Sequence, residues 1–277
     1  MMTNRSADTE TALYCVLGNP VAHSLSPVMH NRALAHHGLN AAYLAFRVTD
    51  VEAAIHGLRA LGIKGASITL PHKSQVMRYL DEVDPAAADI GAVNTIINDN
   101  GQLIGKNSDV TGALDALQAE SELAAKKVLI IGAGGAARAI GYGVRTAGAR
   151  VTIANRSPEA GARLAADLEA DFLPLADISQ TSIDILINTT PVGMHPSTAA
   201  SPVPDDILSP EILVMDIIYN PLETALLKAA TRAGCRIIGG LAMFVSQGAR
   251  QFEWWTGRNA PRDVMRQAVL EILQESK

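Results

Sequence analysis

The chain is poor in cysteine: Cys15 and Cys235 are the two in 277 residues, far apart in sequence and both in apolar, strand-like stretches. They read as buried thiols of a cytoplasmic protein, not as a disulfide framework. No His, Cys, Asp or Glu spacing suits a metal, so none is expected. A basic excess is also missing. Lys and Arg number 23 against 28 Asp and Glu, a formal net charge of −5, which argues against nucleic acid or an anionic membrane as the main partner. The opening residues Met1 to Asp8 are polar and lack the apolar core of a signal peptide. No apolar run approaches the ~20 residues that span a bilayer. Internal repeats and low-complexity tracts are absent. What remains is a chain 48% hydrophobic and 18% charged, enough for one large domain or two moderate ones.

Its most informative stretch runs from Lys126 to Ile140. Val128-Leu129-Ile130-Ile131 reads as a buried strand, Gly132-Ala133-Gly134-Gly135 as a tight turn, and Ala136 onward as a helix. Gly132 permits the turn, Gly134 lets backbone approach a pyrophosphate, and Ala137 is small enough for close helix–strand packing. The helix N-terminus offers N–H groups to an anion. A second strand, Arg150 to Ala154, follows after a helix-length gap, as a βαβ unit requires. It ends in Asn155-Arg156-Ser157, with no acidic residue. A cation and small polar donors suit the 2′-phosphate of NADP, which a carboxylate would repel. The expected cofactor is NADP.

Residues 1–11 read as a loose tail. Strands are expected at 13–18, 42–48, 65–70, 92–97 and 102–106, with the last two joined by an Asn98-Asp99-Asn100-Gly101 hairpin turn. Helices are expected at 28–37, at 51–61 with Asp50 as cap, from Lys73 to Leu80, and at 85–90. Beyond a helix at 109–120, strands recur at 127–131, 150–154, 183–188, 213–218 and 236–238. Helices at 241–256 and 261–275 close the chain, and Met194 to Pro210 reads as a surface loop. The alternation predicts two α/β domains: a substrate domain with a mostly parallel sheet, and a Rossmann-like NADP domain, with a cleft between them.

In such sheets ligands bind beyond the carboxyl ends of the strands. Those ends carry Ser24 and Ser26; Thr69, His72 and Lys73; Asn94 and Thr95; and Asn107, Ser108 and Asp109. The set is rich in hydroxyls and amides and offers no thiol nucleophile, which suits a polyhydroxylated small molecule. With a nicotinamide domain attached, the chemistry is interconversion of a secondary alcohol and a ketone, which needs a proton-transferring group at the oxygen. Lys73 and Asp109 are the candidates. Read singly, Ser24 and Ser26 are turn or cap formers, Asp109 is a helix cap, and Trp254-Trp255 is packing. His23, His36, His37 and His72 read as loop or surface histidines.

Taken together, Gly18-Asn19-Pro20-Val21-Ala22-His23-Ser24-Leu25-Ser26-Pro27, Thr69-Leu70-Pro71-His72-Lys73, Gly91-Ala92-Val93-Asn94-Thr95 and Asn107-Ser108-Asp109 resemble the shikimate dehydrogenase family. The glycine turn, Asn155-Arg156-Ser157 and Gly240…Met243…Gln247 continue the resemblance over about residues 12–272. It implies NADP-dependent, reversible reduction of 3-dehydroshikimate to shikimate on the route to chorismate. It further implies that Ser24 and Ser26 hold the substrate carboxylate, that Thr69, Asn94 and Gln247 bind its carboxylate or hydroxyls, and that Tyr219 closes the site. Lys73 and Asp109 become the catalytic pair, and a shared proton belongs to the pair. Gly132, Ala133, Gly134, Gly135, Ala136, Asn155, Arg156, Ser157, Ile217 and Gly240 would contact NADP, with Met243 near the nicotinamide. The C-terminal helices would fold back, so that residues 1–109 and 241–277 form the substrate domain and 110–240 the NADP domain.

Some positions depart from the commonest family pattern. Ser67 stands in place of Asn, Ser108 of Thr, Val110 of Gly and Ala242 of Gly. Ala160, beside Glu159, takes the place of a second basic residue after Asn155-Arg156-Ser157. One fewer cation weakens the NADP preference and leaves NAD open. Quinate as a substrate and a catalytically silent regulator are the alternative readings; intact Lys73 and Asp109 argue against the latter. A monomer or homodimer is expected.

Overall fold

The computed structural model describes residues 7–275. The chain forms two compact units, Met1–Ser108 with Gln247–Lys277, and Asp109–Ser246. The division falls at 108/109 and 246/247, against 109/110 and 240/241 expected from sequence. The second break lies inside a continuous helix, Gly240–Thr256, so no linker marks it.

In the first unit, strands β1 (Ala12–Gly18), β2 (Ala41–Arg47), β3 (Gly65–Ile68), β4 (Glu82–Val83), β5 (Thr95–Asp99) and β6 (Gln102–Lys106) form one sheet in the order β2-β1-β3-β5-β6-β4. β1 pairs in parallel with β2 and β3. The β5–β6 hairpin is antiparallel and turns on Asn100 and Gly101, both at positive φ, which is what Asn-Gly supplies. Helices α1 (Ser26–His36), α2 (Val51–Ala60) and α3 (Pro85–Ile90) complete the local alternation. Asp50 caps α2 through the Ala53 N–H and Asp84 caps α3 through the Ala86 N–H. Ile55, Leu58, Ile96, Leu103 and Val76 are among the buried side chains of this unit's core.

The second unit opens with α4 (Asp109–Gln118) and runs through β7 (Lys127–Ile131), α5 (Gly135–Thr146), β8 (Arg150–Asn155), α6 (Pro158–Asp167), β9 (Asp171–Pro174), β10 (Ile185–Asn188), β11 (Leu213–Asp216), α7 (Ala225–Arg232) and β12 (Arg236–Gly239). Its sheet is parallel throughout, in the order β12-β11-β10-β7-β8-β9. Successive residues of β7 serve opposite faces. Val128 and Ile130 enter one core cluster, Leu129 and Ile131 the other. A central parallel strand covered on both faces reads as a continuous apolar run for this reason. The remaining helices are α8 (Gly240–Thr256) and α9 (Arg262–Glu275). In the first unit Arg32 of α1 pairs with Glu271 of α9 at 2.9 Å.

Several sequence expectations are corrected. Of the tail, residues 1–6 lie outside the described residues, and 8–11 are not loose: Asn40 Nδ2 donates to Asp8 Oδ1 at 2.8 Å and Thr11 Oγ1 donates to Asn40 Oδ1 at 2.9 Å. No α-helix runs from Lys73 to Leu80; a turn leads into a 3₁₀ segment, Gln75–Tyr79. The Lys73 carbonyl accepts from the Val93 N–H at 2.8 Å, which diverts it from an i→i+4 ladder. The 92–97 strand begins only at Thr95. Short strands β4 and β9 carry too few residues to show a period. Cys15 is buried in β1, but Cys235 sits half-buried in the turn before β12, its Sγ 3.0 Å from the Ser209 carbonyl oxygen. The Met194–Pro210 segment is largely exposed, yet buries Val203 and contains a short 3₁₀ turn, Asp205–Ile207.

Candidate active site: two sets of strand ends

In the first unit the strand order reverses at β1, between β2 and β3. The carboxyl ends of β1 and β3 are locked together there. The Thr69 N–H donates to the Leu17 carbonyl at 3.0 Å, and the Asn19 N–H to the Leu70 carbonyl at 2.9 Å. A Cβ on Gly18 would lie 2.3 Å from Thr69 Cγ2, so the approach requires glycine. Ser24 and Ser26 follow β1. Ser24 Oγ accepts from the Ser26 N–H at 3.3 Å, a local turn, and Ser26 is buried as the first residue of α1. Thr69 and Lys73 are half-buried in the loop after β3. Between them His72 is buried, with Nε2 3.0 Å from the Val48 carbonyl oxygen. His72 thus lies in a loop, as expected, but not at the surface, because its ring anchors the Lys73 loop beside the end of β2. His23 and His36 are exposed.

Asn94, 2% exposed, is gathered with Ser108 and Gln247. Its Oδ1 accepts from the Ser108 N–H and from Thr95 Oγ1, each at 2.7 Å, while Nδ2 donates to Ser108 Oγ at 2.9 Å. Ser108 Oγ lies 3.4 Å from Gln247 Oε1 on α8. Gln251, one turn further along α8, reaches the same cluster, donating from Nε2 to Thr95 Oγ1 at 2.9 Å and to the Asn94 carbonyl at 3.1 Å. Sequence reading missed Gln251. Its signal was the i, i+4 spacing from Gln247 on an otherwise apolar face.

In the second unit the strand order reverses between β7 and β10, the crevice where a dinucleotide is received in doubly wound sheets. Gly132 has φ +120°, and a Cβ there would lie 2.4 Å from Thr189 Oγ1 just after β10. Thr189 Oγ1 itself donates to the Ile131 carbonyl at 2.7 Å. Gly134 differs: no atom lies within 4 Å of a Cβ built on it. The turn Gly132-Ala133-Gly134-Gly135-Ala136 is thus packed behind and open in front. The first turn of α5 has no side-chain cap, and an uncapped helix N-terminus offers its N–H groups to an anion. At the end of β8 Asn155 Nδ2 donates to the Ser157 carbonyl at 3.0 Å. Asn155 and the exposed Arg156 help line a cavity of about 690 Å³ with Leu175 and Val203. Its size and its cation suit the adenosine phosphate end of NADP. Ala160 is half-buried on α6, with the exposed Glu159 beside it.

Ile217 leaves β11, and its N–H donates to the Asn188 carbonyl at 3.2 Å. Gly240 is pressed against it; a Cβ would meet the Ile217 carbonyl oxygen at 2.3 Å. Tyr219 stacks on Phe244 with ring centroids 4.2 Å apart. Met243 is buried in the core cluster against which Ile217 packs. Asp109, buried, is the first residue of α4. Unforeseen from sequence is Asp216. Its carboxylate accepts from Asn188 Nδ2, the Ile218 N–H and Thr224 Oγ1, and burial raises its pKa above the ordinary carboxylate value despite those donors. The Asn188 carboxamide also holds Thr190, through its N–H at 3.0 Å and its hydroxyl at 2.8 Å. One buried carboxylate therefore ties together the loops after β10 and β11. Among the described residues no group of three or more His, Cys, Asp or Glu could hold a metal ion.

A parallel doubly wound unit with an open glycine turn and a cation beyond its second strand defines a dinucleotide-dependent oxidoreductase, joined here to a second α/β unit lined with hydroxyls and amides. Residues 16–96 match the shikimate dehydrogenase substrate binding domain, 115–200 the shikimate/quinate 5-dehydrogenase family, and 240–270 the shikimate 5′-dehydrogenase C-terminal domain. The chain is 47% identical to the shikimate dehydrogenase (NADP(+)) of Moorella thermoacetica, over 96% of this chain and 95% of that one. Among solved structures, one of shikimate dehydrogenase in complex with NADP+ superposes with a TM-score of 0.93 at 40% identity, covering 97% and 98% of the two chains. The Thermus thermophilus shikimate 5-dehydrogenase in complex with NADP(H) and shikimate gives 0.88 at 36%, covering 94% and 99%. The chain belongs to the shikimate dehydrogenase family.

Proposed function

We propose that this chain catalyses the NADP-dependent, reversible reduction of 3-dehydroshikimate to shikimate, in the aromatic biosynthetic route to chorismate. The observation that carries the reading is the pairing of two surfaces in one chain: an open dinucleotide turn ending at Arg156, and the Asn94–Ser108–Gln247 carboxamide cluster on the unit that carries Lys73. NADPH, when bound at Gly132 to Ala136, Asn155, Arg156, Ser157, Ile217, Gly240 and Met243, supplies the reducing equivalents to the carbonyl carbon. Ser24 and Ser26 hold the substrate carboxylate. Thr69, Asn94 and Gln247 bind its carboxylate or ring oxygens, and Tyr219 closes the site. Lys73 and Asp109 deliver the proton to the carbonyl oxygen and recover it in the reverse direction.

Residues 1–109 with 241–277 serve as the substrate domain and 110–240 as the NADP domain. The enzyme works in the cytoplasm as a monomer or homodimer. No helix among the described residues is long and apolar enough to cross a membrane. Ser67 in place of a carboxamide favours a second reading, in which quinate is also accepted. Calorimetric titration with shikimate in the absence of nicotinamide cofactor, where no turnover can occur, tests the proposal. Saturable binding that is tighter than for quinate is expected, and no binding of shikimate contradicts it.

A further inference from the structure

Behind the carboxamides of Asn94 and Gln247 runs a buried chain of polar side chains whose direction is fixed. A hydroxyl can turn either way, and a carboxamide can flip, so such chains are usually ambiguous. Here two backbone groups remove the ambiguity. The Asn94 carbonyl can only accept, and it lies 3.1 Å from Gln251 Nε2. That end of the Gln251 amide is therefore its nitrogen, and Oε1 faces Ser67. Ser67 must donate to it, at 2.7 Å, and must in turn accept from the Tyr43 hydroxyl at 2.6 Å. In the other direction Gln251 Nε2 donates to Thr95 Oγ1 at 2.9 Å, which sends the Thr95 proton to Asn94 Oδ1 at 2.7 Å.

The second backbone group is the Ser108 N–H, which can only donate. It lies 2.7 Å from Asn94 Oδ1 and confirms that atom as oxygen. Asn94 Nδ2 then donates to Ser108 Oγ at 2.9 Å. The Ser108 proton has three acceptors in reach, Asn94 Oδ1 at 3.2 Å, Gln247 Oε1 at 3.4 Å and Thr95 Oγ1 at 3.5 Å, the last already accepting from Gln251 Nε2 at 2.9 Å. Asn94 Oδ1 already accepts two shorter bonds, so the proton goes to Gln247. Every bond from Tyr43 to Gln247 points the same way.

We infer that Gln251 is a positioning residue that, together with the Ser108 N–H, polarises this chain, so that Asn94 and Gln247 turn their carbonyl oxygens inward and meet the ligand as N–H donors. This rests on the reading of those two carboxamides as substrate-binding. It also sets what the ligand must present. Opposite Asn94 and Gln247 it offers acceptors: a carboxylate, a ketone or the lone pairs of a hydroxyl. At Ser67, whose proton is committed to Gln251, a ligand hydroxyl has to donate. A serine there and a carboxamide there are thus opposite in kind, since a carboxamide could donate.

The test uses the full chain and two variants, Gln251→Met and Gln251→Glu, with KM for shikimate and side-chain amide exchange as readouts. Gln251→Met keeps length and removes the hydrogen bonds. It is expected to raise the shikimate KM about tenfold, with kcat within threefold and the NADP KM within twofold. In a Gln247→Ala background the same change is expected to add less than about twofold, because its effect passes through Gln247. In the free protein, exchange of the Asn94 and Gln247 carboxamide protons quickens in Gln251→Met.

Gln251→Glu supplies the decisive comparison if Gln251→Met folds poorly. Ionised, it faces the Asn94 carbonyl with oxygen and breaks the chain; protonated, it donates there and accepts from Ser67, restoring the direction. Its shikimate KM therefore falls toward the wild-type value as pH is lowered, which wild type does not show. In wild type burial pushes His30 down to about 3, against the upward pull of the Gln251 side chain, and pushes Tyr43 up; the Gln251→Glu titration is therefore read in a His30→Phe background, where no imidazole faces the new carboxylate. A Gln251→Met protein with both KM and exchange within twofold of wild type overturns the inference. So does an undiminished effect in the Gln247→Ala background, or a Gln251→Glu KM that is flat with pH. If wild type itself binds no shikimate, the functional reading fails, and the exchange measurement alone decides the chain's direction.

Discussion

The Thr224 hydroxyl donates to the buried carboxylate of Asp216 at 2.6 Å. Asn188 Nδ2 and the Ile218 N–H donate to the same carboxylate. Asp216→Ala leaves three donors without their acceptor and is expected to cost about 3 kcal/mol, at ~1 kcal/mol for each lost bond. Urea unfolding measures it. The sign with pH is also fixed. Burial raises the folded pKa above the unfolded value of 3.8, so the group's favourable contribution is full below that value and is lost as pH rises through the folded pKa. Asp216→Asn is expected to remove this slope; an unchanged slope would contradict it.

His30 titrates in the opposite sense. It is fully buried, stacked on Tyr43 with centroids 4.4 Å apart, and pushed from 6.5 to about 3 by desolvation. Stability is then intact above the unfolded pKa and lost as pH falls from 6.5 toward 3. At ~1.4 kcal/mol per pH unit the loss reaches roughly 4–5 kcal/mol at full expression. His30→Phe keeps the stack and removes the titration. Unfolding midpoints of the two proteins should diverge as pH falls from neutral, with wild type losing stability that His30→Phe keeps; parallel curves would contradict it.

Two glycines of the second unit separate stability from cofactor binding. Gly240→Ala sets a Cβ 2.3 Å from the Ile217 carbonyl oxygen, a backbone atom that cannot swing away. A loss of about 2–3 kcal/mol is expected, as for other overpacked sites. Gly134→Ala meets no atom within 4 Å. Its unfolding midpoint should stay near wild type while the NADP KM rises about tenfold, since the added methyl occupies the face that a pyrophosphate approaches.

Arg156 is the cation at the end of β8. Arg156→Ala should raise the NADP KM by roughly 10- to 100-fold, the range of a lost charge-assisted hydrogen bond, and leave the NAD KM within about threefold. Ala160→Arg should sharpen NADP preference. Equal effects on both cofactors would remove Arg156 from phosphate recognition.

Lys73→Ala should lower kcat by about 100-fold or more, the usual contribution of a positioned proton-transfer group, with shikimate affinity changed much less. Near-normal turnover in that variant would exclude Lys73 from the chemistry.

Much of this molecule is legible in its sequence where one local rule acts alone. The β7–α5–β8 unit announces itself because a buried strand, a glycine turn and a helix each have their own period. The β5–β6 hairpin follows from Asn100-Gly101, which adopt positive φ readily. Reading fails where a distant partner decides. The helix expected from Lys73 does not form because its carbonyl is taken by Val93, twenty residues on. His72 looks like a loop histidine until Val48 is brought beneath it. Asp216 is hidden as the last residue of an apolar strand, and its three donors come from Asn188, Ile218 and Thr224. Gln251 has meaning only once α8 lies against Asn94 and Thr95. Candidate ligand-facing residues can be read from strand ends, whereas the side chains that hold them cannot.

The most direct test is the initial rate of shikimate oxidation, followed through the absorbance of reduced nicotinamide, with shikimate or quinate against NADP+ or NAD+. The account predicts that shikimate with NADP+ gives the highest kcat/KM of the four combinations. No turnover of shikimate, or a higher kcat/KM with NAD+ than with NADP+, would contradict it.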